Sequence, residues 1–159
     1  PELIAKITET VLNHKMVIGV HDIVVHDYGP GRRIVSLHAE VPYNKDMMEV
    51  HDLMDHIEMR LMEEYRCEAT IHMDPVVTDD AEINETRKEV LEIVEKYDKT
   101  LSIHDFRMVK GPTHTNVIFD LVIPYGKEYD PKRIVKDIKE KIKDEMDGKH
   151  YAVIRVDRF

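Results

Sequence analysis

The length, composition and charge of the chain limit what it can do. Its 159 residues, 42% of them hydrophobic, suit one ordinary domain or two small ones with packed cores. The excess of 32 acidic over 23 basic residues gives a net charge of -9, which disfavours nucleic acid and favours cations. The single cysteine, Cys67, excludes an internal disulfide and a multi-cysteine zinc motif. No run approaches the ~18 apolar residues that a membrane span requires.

The chain begins with a predicted helix and a predicted β-hairpin. Apolar residues recur at helical spacing over residues 2–14, and we expect Gly19 to break this helix. β-Branched residues at 20–28 and a clean alternation at 33–41 predict two strands, joined by a Gly-Pro-Gly turn. In the second strand, His38 and Glu40 fall on the face opposite the apolar residues.

A second helix and a third strand complete the first half of the chain. Asp46 and Glu49 resemble a capping box, and an apolar stripe follows as far as Tyr65. The strand at 69–74 then alternates, so that His72 and Asp74 lie side by side on its polar face. The order of elements is therefore helix, strand, strand, helix, strand.

The second half of the chain repeats this order with a period of about 82 or 83 residues. The His104-Asp105 pair matches His21-Asp22, and the segment 154–157 matches 71–74. We therefore predict an α+β fold of two tandem αββαβ modules, each a three-stranded sheet with two helices on one face. The predicted boundaries are 1–77 and 78–159.

The histidines are concentrated in the first module, which holds seven of the ten. It also has 14 acidic against 7 basic residues, so its net charge is -7. His38, His72 and Asp74 share the open face of the sheet, His21 begins the first strand, and His51 begins the second helix. Such nitrogen and oxygen donors suit zinc first, and less specifically cobalt, nickel, manganese, iron or cadmium. Spacing leaves a second interpretation open, namely histidines scattered over the surface.

His-Asp doublets suggest a rival function, a metal-dependent phosphohydrolase. They occur at 21–22, 26–27, 51–52 and 104–105. Such enzymes are all-helical, whereas three of these doublets lie in or beside predicted strands. The chain also lacks the G-x-S-x-G, Walker and H-E-x-x-H motifs, and we therefore predict that it is not an enzyme.

The first module resembles the cytoplasmic C-terminal domain of cation diffusion facilitators, which are proton-coupled zinc efflux transporters. The resemblance rests on His21-Asp22-Ile23, Gly29-Pro30, Leu37-His38-Ala39-Glu40, Val50-His51 and Ile71-His72-Met73-Asp74-Pro75. It implies a metallochaperone-like, ferredoxin-like fold that forms homodimers and binds divalent cations. It also implies a membrane domain of the same transporter, N-terminal to this chain, with the present segment in the cytoplasm. A free-standing cytosolic metal-binding protein of the same fold is the alternative.

The same resemblance implies a ligand set in the first module, and its loss in the second. The implied metal ligands are His21, His38, His51, His72 and Asp74. In the second module Asp120 stands at the place of His38, Arg133 near that of His51, and Arg155 at that of His72.

The open face of the second module is predicted to be more apolar than that of the first. Ile118, Val122 and Val153 fall there by alignment with the first module. We therefore expect the second module to be silent toward metal and to serve as a pairing surface.

Overall fold

A computed structural model of the chain describes residues 2–126 and 128–158. The chain divides into two compact units, residues 1–76 and 77–159. Each has the predicted order helix, strand, strand, helix, strand. The elements are α1 Glu2–Leu12, β1 Gly19–Asp27, β2 Arg33–Pro42, α2 Met47–Tyr65, β3 Cys67–Val76, α3 Asp80–Tyr97, β4 Ser102–Lys110, β5 Thr115–Ile123, α4 Pro131–Glu145 and β6 His150–Arg158.

The sheet of the first unit has β2 at its centre. β1 pairs with β2 in the antiparallel direction, and β3 pairs with β2 in the parallel direction after the crossover through α2. In this register His21 lies opposite His38, and His38 lies opposite His72. The pairing therefore lines up three imidazoles across three neighbouring strands.

Both helices of the first unit pack on one face of that sheet. Ile7 of α1 and Ile57 and Leu61 of α2 share a buried cluster with Leu37 and Val35 of β2. Because side chains alternate along a strand, His38 and its neighbours at even-numbered positions of β2 lie on the opposite face. The helices thus hold the sheet from one side, and the predicted site residues of the strands lie on the other.

The start and end of α2 are fixed by local hydrogen bonds. The Asp46 side chain accepts hydrogen bonds from the backbone N–H groups of Met48 and Glu49, as expected for an N-cap. At the other end Arg66 adopts a left-handed conformation, and its backbone N–H donates hydrogen bonds to the carbonyl oxygens of Leu61 and Met62. These two ends set the length of the helix that leads into β3.

The second unit repeats this arrangement with its own core. β5 is central, antiparallel to β4 and parallel to β6. Val90 and Val94 of α3 and Ile138 and Ile142 of α4 are buried with Phe119 of β5. The α+β fold of two tandem αββαβ modules is therefore confirmed. Among the described residues, no helix is long and apolar enough to cross a membrane.

A β-bulge interrupts the first strand of each unit at a His-Asp doublet. The register shifts by one residue between His21 and Val24, and again between His104 and Arg107. At each bulge an aspartate has a positive φ, 53° at Asp22 and 52° at Asp105. Aspartate tolerates this left-handed conformation better than most side chains, which explains the aspartate at both places.

The first helix and Gly19 differ from the sequence prediction. α1 ends at Leu12, and Gly19 is instead the first residue of β1. Gly19 therefore does not break the helix. Its role lies in the sheet, where it faces Glu40.

Candidate metal centre

Three imidazoles form a row on the outer face of the first sheet. The ring centroids of His21 and His38 are 4.7 Å apart, and those of His38 and His72 are 4.6 Å apart. The rings are inclined by 30° and 13° respectively, so they are stacked. The bulge at Asp22 gives β1 one extra residue next to this row, directly after His21.

The Asp74 carboxylate contacts all three rings. Its Oδ2 atom lies 3.1 Å from Nδ1 of His38 and 3.2 Å from Nε2 of His21. Its Oδ1 atom lies 3.3 Å from Nε2 of His72. Asp74 is only 7% exposed, so these contacts replace the water that a surface carboxylate would have.

The negative charge of Asp74 and the positive charge of His21 stabilise each other. Burial favours a neutral His21 ring, but its close contacts with the carboxylates of Asp74 and Glu40 outweigh this effect and raise the pKa of His21 from 6.5 to about 9. Burial likewise opposes ionisation of Asp74, yet its hydrogen bonds with His21 and His38 lower the pKa of this carboxyl. A positive ring against a negative carboxylate is therefore the state at neutral pH.

Glu40 belongs to the same centre, although the sequence analysis did not select it. Its side chain is 1% exposed, and Oε2 lies 3.4 Å from Nδ1 of His21. Its position two residues after His38 places both side chains on one face, which was the available signal. The alternating pattern placed Glu40 on the face opposite the apolar residues but gave no depth of burial.

The structure brings four of the five predicted ligands together in different degrees. His21, His38 and Asp74 can each offer one ligand atom within 4.8 Å of the others. His72 reaches Asp74 with a side chain that is 68% exposed. His51 is not part of this group; it is the fifth residue of α2, and its Nδ1 is 3.7 Å from Oδ2 of Asp55.

The spacing of these atoms suits a small divalent cation. Zinc–nitrogen and zinc–oxygen bonds of about 2.0–2.2 Å in a tetrahedral site place neighbouring ligand atoms about 3.3–3.5 Å apart. The contacts of Asp74 Oδ2 with His38 and His21, at 3.1 and 3.2 Å, are close to this spacing. Two imidazoles and a carboxylate are also the donor types that catalytic and regulatory zinc sites use. The residues present therefore fit the ion.

The corresponding positions of the second unit have a different chemistry. In the strand pairing, Asp120 of β5 lies opposite His104 of β4 and opposite Arg155 of β6. Nε of Arg155 lies 4.0 Å from Oδ1 of Asp157. Burial and the charge of Asp157 raise the pKa of Asp120, while Arg155 opposes this effect. A guanidinium thus lies among these carboxylates where the first unit has an imidazole.

The outer face of the second unit exposes less apolar surface than the sequence suggests. Ile118 is 6% exposed and Val122 is 8% exposed. Both lie on the central strand, where Arg107 and Val153 flank Ile118, and Ser102 and Asp157 flank Val122. A pairing role for this face stays a prediction, and it would depend on residues of the flanking strands.

Comparison with known proteins adds the family context. The sequence model of a family described as "Cation efflux protein, cytoplasmic domain" matches residues 1–76 and again residues 83–159. A protein of Methanocaldococcus jannaschii that bears the name uncharacterized transporter is 44% identical over 71 residues, or 44% of this chain. The match covers 25% of that protein, so the chain spans about a quarter of the length of its relative. The family consists of transporter domains and is not a family of enzymes.

Proposed function

The chain belongs to the family of cytoplasmic domains of cation efflux proteins, and from this premise we propose that its first unit binds a divalent cation to regulate a membrane transporter. Zinc is the preferred ion. His21, His38 and Asp74 would hold it, with His72 as a further ligand at the exposed end of the row. His51 stays in the predicted set on the resemblance alone.

One observation supports this proposal above the others. Two imidazoles from separate strands meet one carboxylate that is 7% exposed, and among residues 2–126 and 128–158 no lysine or arginine forms an ion pair with it. In the metal-free protein a proton on His21 supplies the positive charge that this buried group requires. A divalent cation would replace that proton and bind the same atoms.

The regulatory part of the proposal follows from charge. The first module has a net charge of -7, so two copies brought together would repel each other. Cation binding would reduce this repulsion and link β1, β2 and β3 through their side chains. We therefore propose that the ion stabilises a homodimer of the transporter and that no reaction takes place at this site.

Calorimetric titration with zinc tests the ligand set. We expect His38→Ala and Asp74→Ala to weaken zinc binding by at least about 100-fold, because each removes a ligand. His26→Ala is the matched control: His26 is an exposed histidine of the same strand as His21, and its ring stacks on Tyr28. Equal affinity in the wild type, the two ligand variants and the control would refute the proposed site.

Small-angle scattering and thermal melting test the regulatory part. Zinc should raise the melting temperature and increase the dimeric fraction of the wild type, and should do neither in Asp74→Ala. A wild type that binds zinc tightly but keeps the same scattering curve and melting temperature would retain the site and exclude the regulatory role.

A further inference from the structure

We infer that Glu40 is a positioning residue that fixes the orientation and tautomer of His21, so that one ring nitrogen is available to the cation. This inference rests on the proposed metal binding, because it concerns the residue behind one of the proposed ligands. Glu40 itself is not proposed as a ligand. Its part is to hold a proton on Nδ1 of His21, the nitrogen that points away from Asp74 and lies 3.4 Å from Oε2 of Glu40.

The two nitrogens of His21 face two different carboxylates. Nε2 lies 3.2 Å from Oδ2 of Asp74, while Nδ1 lies 3.4 Å from Oε2 of Glu40. A neutral imidazole has a proton on only one nitrogen, and only the other nitrogen can bind a metal. A proton held at Nδ1 by Glu40 leaves the lone pair of Nε2 directed toward Asp74 and His38. Carboxylates commonly orient metal-binding histidines in this manner.

Gly19 leaves the space that Glu40 occupies. The two residues are opposite each other in the β1–β2 pairing. A Cβ atom built on Gly19 would lie 2.1 Å from Oε2 of Glu40, a distance at which the carboxylate would have to move. The absence of a side chain at Gly19 therefore lets the carboxylate reach Nδ1 of His21 while remaining 1% exposed.

The second unit offers an internal comparison. There the pair opposite each other is Ser102 and Val122, in place of Gly19 and Glu40. Its histidine at the bulge, His104, pairs with Asp120. The glycine and the glutamate are thus both absent from the unit that has Arg155 at the place of His72. A buried glutamate that served only the fold would be expected in both units, since their backbones repeat each other.

The geometry also predicts a difference between His21 and His38, the two histidines that contact Oδ2 of Asp74. Nδ1 of His38 faces Asp74, with which it makes a hydrogen bond of 3.1 Å. His38 would therefore bind the cation through Nδ1, whereas His21 would bind it through Nε2. This contrast can be measured in the wild-type protein without any substitution.

The first test compares zinc affinities of variants in the full chain. We expect Glu40→Val, which introduces the residue of the second unit, to weaken zinc binding by about 10- to 100-fold. Glu40→Gln keeps an acceptor oxygen and should lose less than about tenfold. Glu68→Val is the matched control, because Glu68 is an exposed glutamate on the same face of the sheet. It removes the same charge and should change the affinity by no more than about twofold.

The result for His21→Ala separates the inference from the proposed function. If His21→Ala loses zinc affinity while Glu40→Val binds like the wild type, the inference is wrong and the proposed site stands. If the wild type binds no zinc, or His21→Ala binds as tightly as the wild type, the proposed role of His21 fails and the inference fails with it.

Nitrogen-15 NMR of histidine side chains provides a test that does not depend on the folding of any variant. In the zinc-bound wild type, we expect His21 to be protonated at Nδ1 and metal-bound at Nε2, with the opposite pattern at His38. Metal bound to Nδ1 of His21 would overturn the inference. A purely structural Glu40 would not determine which nitrogen of His21 binds zinc.

Discussion

Alkaline pH should destabilise the metal-free protein because the ring of His21 loses its proton. The pKa of His21 is raised from 6.5 to about 9 in the folded protein, because its close contacts with the carboxylates of Asp74 and Glu40 outweigh the effect of burial. In the unfolded chain the ring returns to the ordinary value of about 6.5. Folding therefore favours the protonated ring, and the stability that it contributes depends on pH.

The magnitude follows from this difference in pKa. Each pKa unit corresponds to about 1.4 kcal/mol, so a shift from 6.5 to about 9 contributes on the order of 3 kcal/mol to the free energy of unfolding. The side chain is 14% exposed, so solvent screens these contacts only in part. The contribution is fully present below about pH 6.5, declines between pH 6.5 and 9, and is lost above pH 9.

Urea denaturation in the presence of a chelator measures this effect. The free energy of unfolding of the wild type and of His21→Gln would be determined at half-unit steps from pH 6 to 10. Their difference should fall by on the order of 3 kcal/mol over this range, since Gln cannot be protonated. A difference that stays constant, or that grows with pH, would show that Asp74 and Glu40 do not hold a proton on His21.

Three further predictions follow from the same geometry. Zinc binding at pH 7.5 should release about one proton per ion from His21, whereas an imidazole of ordinary pKa would release about 0.1. Titration calorimetry in two buffers of different ionisation enthalpy counts the released protons. A count near zero would contradict this prediction. Asp22→Val should cost about 1–2 kcal/mol of stability, measured by thermal denaturation, because a β-branched residue resists a φ of 53°; Asp22→Gly should cost less, and equal costs would argue against backbone strain. Asp46→Ala should lower the free energy of unfolding by about 1 kcal/mol, because it removes the N-cap of α2. Asp46→Ser can still cap the helix and should recover most of this stability in a urea titration. A failure to recover it would point to another role for Asp46.

The sequence predicts the fold well because repetition and alternation report directly on it. The match between His104-Asp105 and His21-Asp22 indicates a duplication, and the order of elements follows from the period of the apolar residues. The N-cap at Asp46 is also evident, because the side chain that caps a helix lies next to it in sequence. Local signals of this kind need no knowledge of the tertiary structure.

The candidate site could be predicted only in part, because it depends on how deeply each side chain is buried and on the register between strands. Alternation places Glu40 on the outer face, but its burial depends on how β1 lies against β2, which the pattern does not encode. Gly19 looks like a helix breaker in the sequence, and only the register reveals that it faces Glu40. His51 was grouped with the other ligands by its place near the start of the second helix and by resemblance, whereas in the structure it lies beside Asp55 on α2.

The two units together indicate which features belong to the fold and which to the site. Both have the same bulge, with an aspartate at a φ of 53° or 52°, although only the first has three aligned imidazoles. The aspartate of the His-Asp doublet therefore belongs to the bulged backbone, and the doublet by itself is no sign of metal. What distinguishes the first unit is the type of positive charge beside the carboxylate. Arg155 next to Asp157 is permanently charged, whereas the charge of His21 next to Asp74 depends on a proton, which the proposed cation would replace. The two units thus share one pattern of strand pairing, but only in the first does the positive charge beside the carboxylate depend on a proton. A response to metal would therefore have to begin in the first unit.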